Sequence, residues 1–392
     1  MSASVRIYLD YNATAPPLPE VVAAMSRSLA EDVGNASSVH AFGQRARAVV
    51  DDARGAVAAL IEADPGEVVF TSGGTESDNL ALRGAVEALD AAGRRHVVTS
   101  PIEHEAVLQT LKSVGARGWT VTMLPVGERG VVSPEALEAA MTPDTALVSV
   151  MHANNEVGTV QPIAELAAIA HARHALFHTD AVQSAGKIPV SVRRLGVDLL
   201  ALSAHKLGGP KGVGALWIRR GVRLASTMTG GRQERNRRAG TENVPAIAGF
   251  GVAARLVREK LGTAGAGLAE LRDRLEDGVL AGVPGTTVNG DRSCRVPNTT
   301  NISFDGIEAE SLLIALDLEG IAVSTGSACS SGSLEPSHVL RAMGLAHART
   351  RNAIRFSLGP ATTGAEVDEV LAVLPGLVAK LRRLTRTAAA LG

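Results

Sequence analysis

Four short segments of the chain carry residue types that can do chemistry together. The segment TSGGTESDN, residues 71–79, follows the apolar run Val68-Val69-Phe70 and opens a helical pattern. Glycines at 73 and 74 let the backbone bend tightly and approach a ligand. A helix start then presents free N–H groups and a partial positive charge to an anion. Thr75 adds a hydroxyl. The plainer reading is an N-capped helix after a tight turn, and no GK[ST] follows, so this is not a Walker loop. In SAHKLGGPKG, residues 203–212, Lys206 directly follows the apolar run 199–202 and precedes a glycine turn. A lysine at a strand end inside a pocket can form a Schiff base once burial or a neighbouring cation lowers its pKa. Ser203 and His205 flank it and could reach the phosphate that the glycine turn also binds. The alternative is a surface lysine, which is the reading for Lys211.

In HTDAVQ, residues 178–183, Asp180 sits just past a buried strand, where ligands bind in open α/β sheets. A carboxylate there could hold a ring nitrogen protonated. Capping of the next helix is the alternative. In STGSACSSGSLEP, residues 324–336, the small residues predict a mobile loop with Cys329 near its tip. The thiolate is the reactive species, and a free cysteine has a pKa of about 8.5, so activation is needed. An incidental loop cysteine is the competing reading. Cys294, in NGDRSCRVPN, lacks this setting and reads as structural or incidental.

Short strand candidates that would position these groups lie at 67–70, 96–99, 120–124, 146–151, 175–178, 199–202 and 214–218. Several are continuous aliphatic runs, as expected for strands buried on both faces. Helical stretches separate many of them; after Phe70, Leu82, Ala85, Val86 and Leu89 fall on one face. The alternation predicts an α/β fold with a mostly parallel sheet and helices on both faces. From about residue 250 the pattern changes. A helix-prone stretch at 250–280 leads to strand candidates at 301–304, 321–324 and 353–357, with a final helix at 365–387. A domain boundary is expected near 255, giving a large domain at 16–255 and a smaller α+β domain at 256–392. Residues 1–15 are expected to pack on the small domain.

The 392 residues carry 39 Lys plus Arg and 40 Asp plus Glu, a formal charge of -1. That balance gives no case for a broad nucleic-acid or membrane surface. The N-terminal residues have no basic segment leading into an apolar run, so no signal peptide is expected, and no stretch is long and apolar enough to span a bilayer. With two cysteines there is no disulfide framework, which fits a reducing, cytoplasmic setting.

Taken together, the segments resemble the group I cysteine desulfurases of the NifS branch, within the aminotransferase class V, fold-type I pyridoxal-phosphate enzymes. The matching stretches include YLDYNATAP, GNASSVHAFG, FTSGGTESDNLAL, EHEAVL, MHANNEVGTVQPI, FHTDAVQSAGK, SAHKLGGPKGVGALW, GGRQERNRRAGTENVPAI, PNTTNISF, STGSACSSGSLEPSHVLRAMG and IRFSLG, from residue 7 to about residue 360. The loop GSACSSGSLEPSHVL sets the chain apart from the other desulfurase group. The resemblance implies a cysteine desulfurase that converts L-cysteine to L-alanine and carries the sulfur on Cys329 as a persulfide. Lys206 would bind pyridoxal 5'-phosphate covalently, and Asp180 would pair with its pyridinium nitrogen. Gln183 would hydrogen-bond the ring hydroxyl, and His104 would stack on the ring and move protons. Gly74, Thr75, Ser203 and His205 would hold the phosphate, with Thr241 reaching the phosphate of the partner subunit in a homodimer. Asn155 and Arg355 would bind the substrate carboxylate. No metal is implied. The implied acceptor is a protein such as an iron–sulfur scaffold, although the chain ends soon after its last helix, where longer desulfurases carry a scaffold-docking tail. A selenocysteine lyase, an aminotransferase and a non-catalytic assembly scaffold are the competing readings. Lys206 and Asp180 count against the last.

Overall fold

The computed structural model describes residues 6–90, 93–326 and 336–391. Twelve strands are found among them: β1 (Ile7–Tyr8), β2 (Val68–Thr71), β3 (His96–Thr99), β4 (Thr120–Met123), β5 (Thr145–Ser149), β6 (Leu176–Asp180), β7 (Leu199–Ser203), β8 (Gly214–Ile218), β9 (Thr286–Asn289), β10 (Thr299–Phe304), β11 (Ile321–Ala322) and β12 (Ala353–Ser357). Seven form one sheet in the order β2-β8-β7-β6-β5-β3-β4. Only β8 runs against the others. The central strands β5 and β7 are buried at every residue. Their aliphatic runs satisfy the requirement of a sheet with helices on both faces, where neither side chain row meets water.

Two apolar clusters sandwich this sheet. One holds Val98, Val148, Phe177 and Leu200 together with Val50 and Val57 of the helix Ala41–Leu60. The other holds Val97, Leu147 and Leu199 with Leu80, Leu82 and Val86, and these three come from the helix Gly74–Leu89. That helix lies on the sheet by its apolar face, so its N-terminal residues Gly74 and Thr75 are fixed over the sheet's edge of carboxyl ends. A buried leucine such as Leu82 contributes to this anchoring; its truncation to alanine costs about 2–5 kcal/mol.

A third cluster gathers Leu275, Ile302, Phe304, Leu312, Phe356 and Leu374 with Ile7 and Leu9 from the N-terminal strand region. It packs around the antiparallel sheet β12-β10-β9 and the two-stranded parallel pair β1-β11. The helix Val244–Gly282 runs from the first cluster, through Phe250 and Ala253, to the third, through Leu275 and Val279. Residue 255 falls inside it. Two strands, β1 and β9, are additions to those expected from sequence. The first has only two residues, and the second, Thr-Thr-Val-Asn, has no continuous apolar run.

Candidate active site

The ends of the parallel strands converge on one cavity of about 350 Å³. Asp180 is the last residue of β6 and Ser203 the last of β7. Gly74 and Thr75 begin the helix that follows β2. His104 caps the helix Glu105–Gly115 after β3, its Nδ1 accepting from the Ala106 N–H at 3.1 Å. An accepting Nδ1 places the hydrogen of the neutral ring on Nε2. Asn155 lies in the turn beyond β5, and Arg355 reaches in from β12. Ligands bind at this edge of open α/β sheets because loops and helix N-termini gather there.

Ten of the residues singled out from sequence line this one cavity: Gly74, Thr75, His104, Asn155, Asp180, Gln183, Ser203, His205, Lys206 and Arg355. Thr241 does not; it is exposed on the surface of its own chain. Cys329 lies outside the described residues. The chain enters that segment from Gly326, which lines the cavity. Cys294 is exposed and lies apart from the cavity, its thiol pushed up by burial of its surroundings and by Asp291.

Lys206 Nζ donates to the carbonyls of Asn12 at 2.5 Å and Ala13 at 2.7 Å. Burial and the nearby Arg355 charge bring its pKa down to about 8, against the opposing pull of Asp180 and Asp10. A lysine of this kind offers a neutral amine at accessible pH. Burial raises the Asp180 carboxyl, while His104, the Val182 N–H at 2.8 Å and Lys206 draw it back. Burial, then Lys206 and Lys211, holds His205 at about 4, so it stays neutral near pH 7; its Nδ1 pairs with Thr14 Oγ1 at 3.1 Å. Arg355 donates to Asn155 O at 3.0 Å and to Asp10 Oδ1 at 2.6 Å, and its Nε is buried without a partner.

Residues 7–370 match the aminotransferase class-V family. The chain belongs to that family. It is 51% identical over 379 residues to a cysteine desulfurase of Trichormus azollae, covering 97% of this chain and 94% of that one. It is 48% identical to cysteine desulfurase IscS of Dictyoglomus turgidum, covering 97% and 96%. Among solved structures it resembles a NifS-like protein with a TM-score of 0.91 at 39% identity, covering 96% of this chain and all of that one. It also resembles SspA in complex with cysteine, with a TM-score of 0.80 at 33% identity, covering 91% of this chain and 100% of that one.

The family's cofactor is pyridoxal phosphate, and the cavity has the donor set for it. The phosphate has a helix N-terminus at Gly74 and Thr75 with the Ser203 hydroxyl beside it. A Cβ at 74 would meet Val182 Cγ2 at 2.9 Å and Ser203 Cβ at 3.6 Å, so a larger residue there requires Val182 to shift. The buried Asp180 carboxyl gains a cation if a protonated ring nitrogen lies on it. Lys206 supplies the amine.

The structure adds residues that sequence reading did not single out. Asn12, in the stretch YLDYNATAP, accepts on its carbonyl from Lys206 and from Gln183 Nε2 at 2.9 Å. Its side-chain oxygen accepts from Lys187 Nζ at 2.7 Å. Lys187 also donates to Gln183 Oε1 at 2.6 Å, and burial, helped by Lys206 and Arg355, drops its pKa well below the ordinary lysine value. Beneath Asp180 lie three more buried groups. His178 Nε2 stands 3.4 Å from Asp78 Oδ1, and its Nδ1 pairs with Ser149 Oγ at 2.9 Å. Burial pushes His178 down to about 3, Asp78 well up, and Glu103 up to about 8. Each belongs to a matching stretch, but only tertiary burial gives it this character.

Proposed function

We propose that the chain is a cysteine desulfurase converting L-cysteine to L-alanine, with the substrate's sulfur passed to Cys329. The convergence of Lys206, Asp180, His104 and Arg355 on one cavity is the observation that carries this reading. Bound pyridoxal phosphate supplies an electron sink conjugated to the substrate's α carbon. Arg355 binds the substrate carboxylate with Asn155, its fork suited to two parallel hydrogen bonds. Lys206 holds the cofactor at rest and, when displaced by the substrate amine, removes the α proton as a neutral base. His104 offers its Nε2 side to the reacting groups for proton transfer.

Sulfur transfer balances within the two thiols. The Cys329 thiolate attacks the substrate sulfur and forms an S–S bond. The C–S bond breaks, its electron pair stays with carbon, and that carbon takes up a proton on the way to alanine. The enzyme keeps a persulfide, and no outside oxidant is consumed.

Three finer assignments belong to the same proposal. The enzyme acts as a homodimer in which Thr241 of one subunit reaches the phosphate held by its neighbour; its exposure on its own chain supports this. The chain divides within the helix Val244–Gly282 into a cofactor-binding part, 16–255, and a smaller part, 256–392, that carries Cys329; Ile7 and Leu9 pack on the smaller part, while Asn12 and Ala13 receive Lys206 of the larger. The persulfide goes to a protein acceptor such as an iron–sulfur scaffold, in the cytoplasm, where free thiols stay reduced.

The test is direct. Purified protein loaded with cofactor is given L-cysteine and a thiol reductant, and alanine and sulfide are measured. Equal amounts of the two are expected, with neither from Lys206→Ala. Sulfide without alanine, or pyruvate in place of alanine, would contradict a desulfurase.

A further inference from the structure

Lys187 has no part in the steps above, yet its amine touches two residues that line the active-site cavity, Asn12 and Gln183. Its side chain borders a second cavity of about 260 Å³ whose walls include Leu18, Leu207, Val257 and Leu268. From there Nζ donates to Gln183 Oε1 at 2.6 Å and to Asn12 Oδ1 at 2.7 Å. Both bonds survive whether the amine is charged or neutral, since either form carries at least two N–H bonds. The turn that carries Lys187 is well tied. The Ala185 N–H donates to Ala181 O at 2.9 Å, and the N–H groups of Lys187 and Ile188 both donate to Ser184 O at 3.0 Å. Gly186 has φ +77°, and a Cβ there would overlap Leu207 Cδ2 and Val257 Cγ1, so the turn packs directly against the residue after Lys206.

Both acceptors of the amine are themselves oriented. Asn12 is 2% exposed. Its N–H donates to Ser357 Oγ at 3.0 Å, and its Nδ2 donates to Thr299 Oγ1 at 2.9 Å and to Asn155 O at 3.1 Å. Its Oδ1 accepts a second bond, from Asn298 Nδ2 at 3.1 Å. Gln183 Nε2 donates to the Asn12 carbonyl at 2.9 Å while Oε1 takes Lys187. The reverse orientation of the amide would set Oε1 against that carbonyl and lose both bonds. An amide nitrogen has two hydrogens. With one on Asn12, the second is left for a ligand in the cavity that Gln183 lines.

We propose that Lys187 is a positioning residue for the cofactor, its amine holding the Gln183 amide so that the nitrogen, not the oxygen, is offered to the ring hydroxyl. This rests on the assignment of Gln183 to that hydroxyl. Without the amine, Oε1 has lost its partner and the amide is free to turn. The charged and titratable groups facing this corner are Lys206 and His205 after β7, Asp180 of β6, His104 after β3, Arg355 of β12 and Asp10 of the N-terminal segment. Lys187→Met leaves all of them in place.

The test is a pH titration of the holoenzyme. The cofactor's visible absorbance band titrates as the nitrogen joining it to Lys206 loses its proton. A hydrogen bond donated to the neighbouring ring oxygen favours the deprotonated form, in which that oxygen's negative charge is no longer offset. Absorbance is read between about pH 6 and pH 10. Lys187→Met and Gln183→Leu are each expected to raise the midpoint by about 0.5–1 unit, the size of one lost hydrogen bond. The double variant should go no further than Gln183→Leu alone. An unmoved or lowered midpoint in Lys187→Met, with Gln183→Leu raised, overturns the proposal. So does an additive double variant, because the amine would then act through its charge or through general damage and not through Gln183. If Gln183→Leu leaves the midpoint unmoved, Gln183 does not meet the ring oxygen, and the proposal falls with that assignment. Lys187→Leu is read by the same criteria if Lys187→Met does not fold.

Discussion

Arg355 and Asp10 are 345 positions apart in the chain, yet the guanidinium donates to the carboxylate at 2.6 Å. A second contact, to Asn155 O at 3.0 Å, completes a frame that holds the guanidinium at the cavity. The pairing joins β12, the N-terminal segment and the turn beyond β5, so the group assigned to the substrate carboxylate is oriented before substrate arrives.

Arg355→Lys should therefore damage substrate capture first. A lysine has a point charge and no planar fork, so it cannot keep Asp10 and Asn155 while pairing with a carboxylate through two bonds. Steady-state kinetics should show KM for L-cysteine raised about tenfold or more, with kcat changed less. An unchanged KM would remove Arg355 from the substrate site.

Lys206 gives a pH prediction with a definite sign. Before the cofactor attaches, its pKa is about 8, and the neutral amine is the form that attacks the cofactor's aldehyde. Attachment of pyridoxal phosphate to the cofactor-free protein should speed up as pH rises and level off above about 8. Stopped-flow absorbance between about pH 6 and pH 9 measures it. A plateau reached only near the pKa of an exposed lysine would show that burial and Arg355 do not lower this amine. Lys206→Ala should give no covalent attachment at any pH.

Glu103 is a buried carboxyl raised to about 8, with Oε2 unpartnered and Oε1 accepting from Met151 N–H at 3.0 Å. A folded-state pKa above the unfolded value means that the favourable protonated state is fully available below the unfolded pKa. That contribution is lost as pH rises toward 8. Glu103→Gln cannot ionise, so its stability relative to the parent should improve with pH, by roughly 3 kcal/mol between about pH 5 and pH 9. Denaturant melts of the cofactor-free protein at the two pH values test this; a pH-independent difference would mean that Glu103 titrates normally.

Much of this architecture was legible because the relevant sequence patterns are local. The runs in β5, β7 and β8 are largely apolar and buried, so these strands could be read directly. Asp180 and Ser203 end strands and Gly74 starts a helix, which marked these motifs as ligand-binding, whereas His104, Gln183, Asn155 and Arg355 were placed in the same site by the resemblance to the family. What sequence concealed depends on burial. Lys187, His178 and Glu103 are ordinary polar residues in one dimension. Their shifted ionisation exists only once distant strands have packed around them. Asn12 was hidden for a related reason: its main-chain carbonyl, which no residue pattern marks, receives both Lys206 and Gln183.

The account turns on where the sulfur goes. Holoenzyme incubated with L-cysteine without reductant, then digested and examined by mass spectrometry, should carry one added sulfur atom on the peptide containing Cys329 and none on the peptide containing Cys294. Cys329→Ser should still bind cofactor and L-cysteine, by the same absorbance change, but carry no added sulfur and form essentially no alanine. Added sulfur on Cys294, or alanine formation undiminished in Cys329→Ser, would contradict the account at its centre.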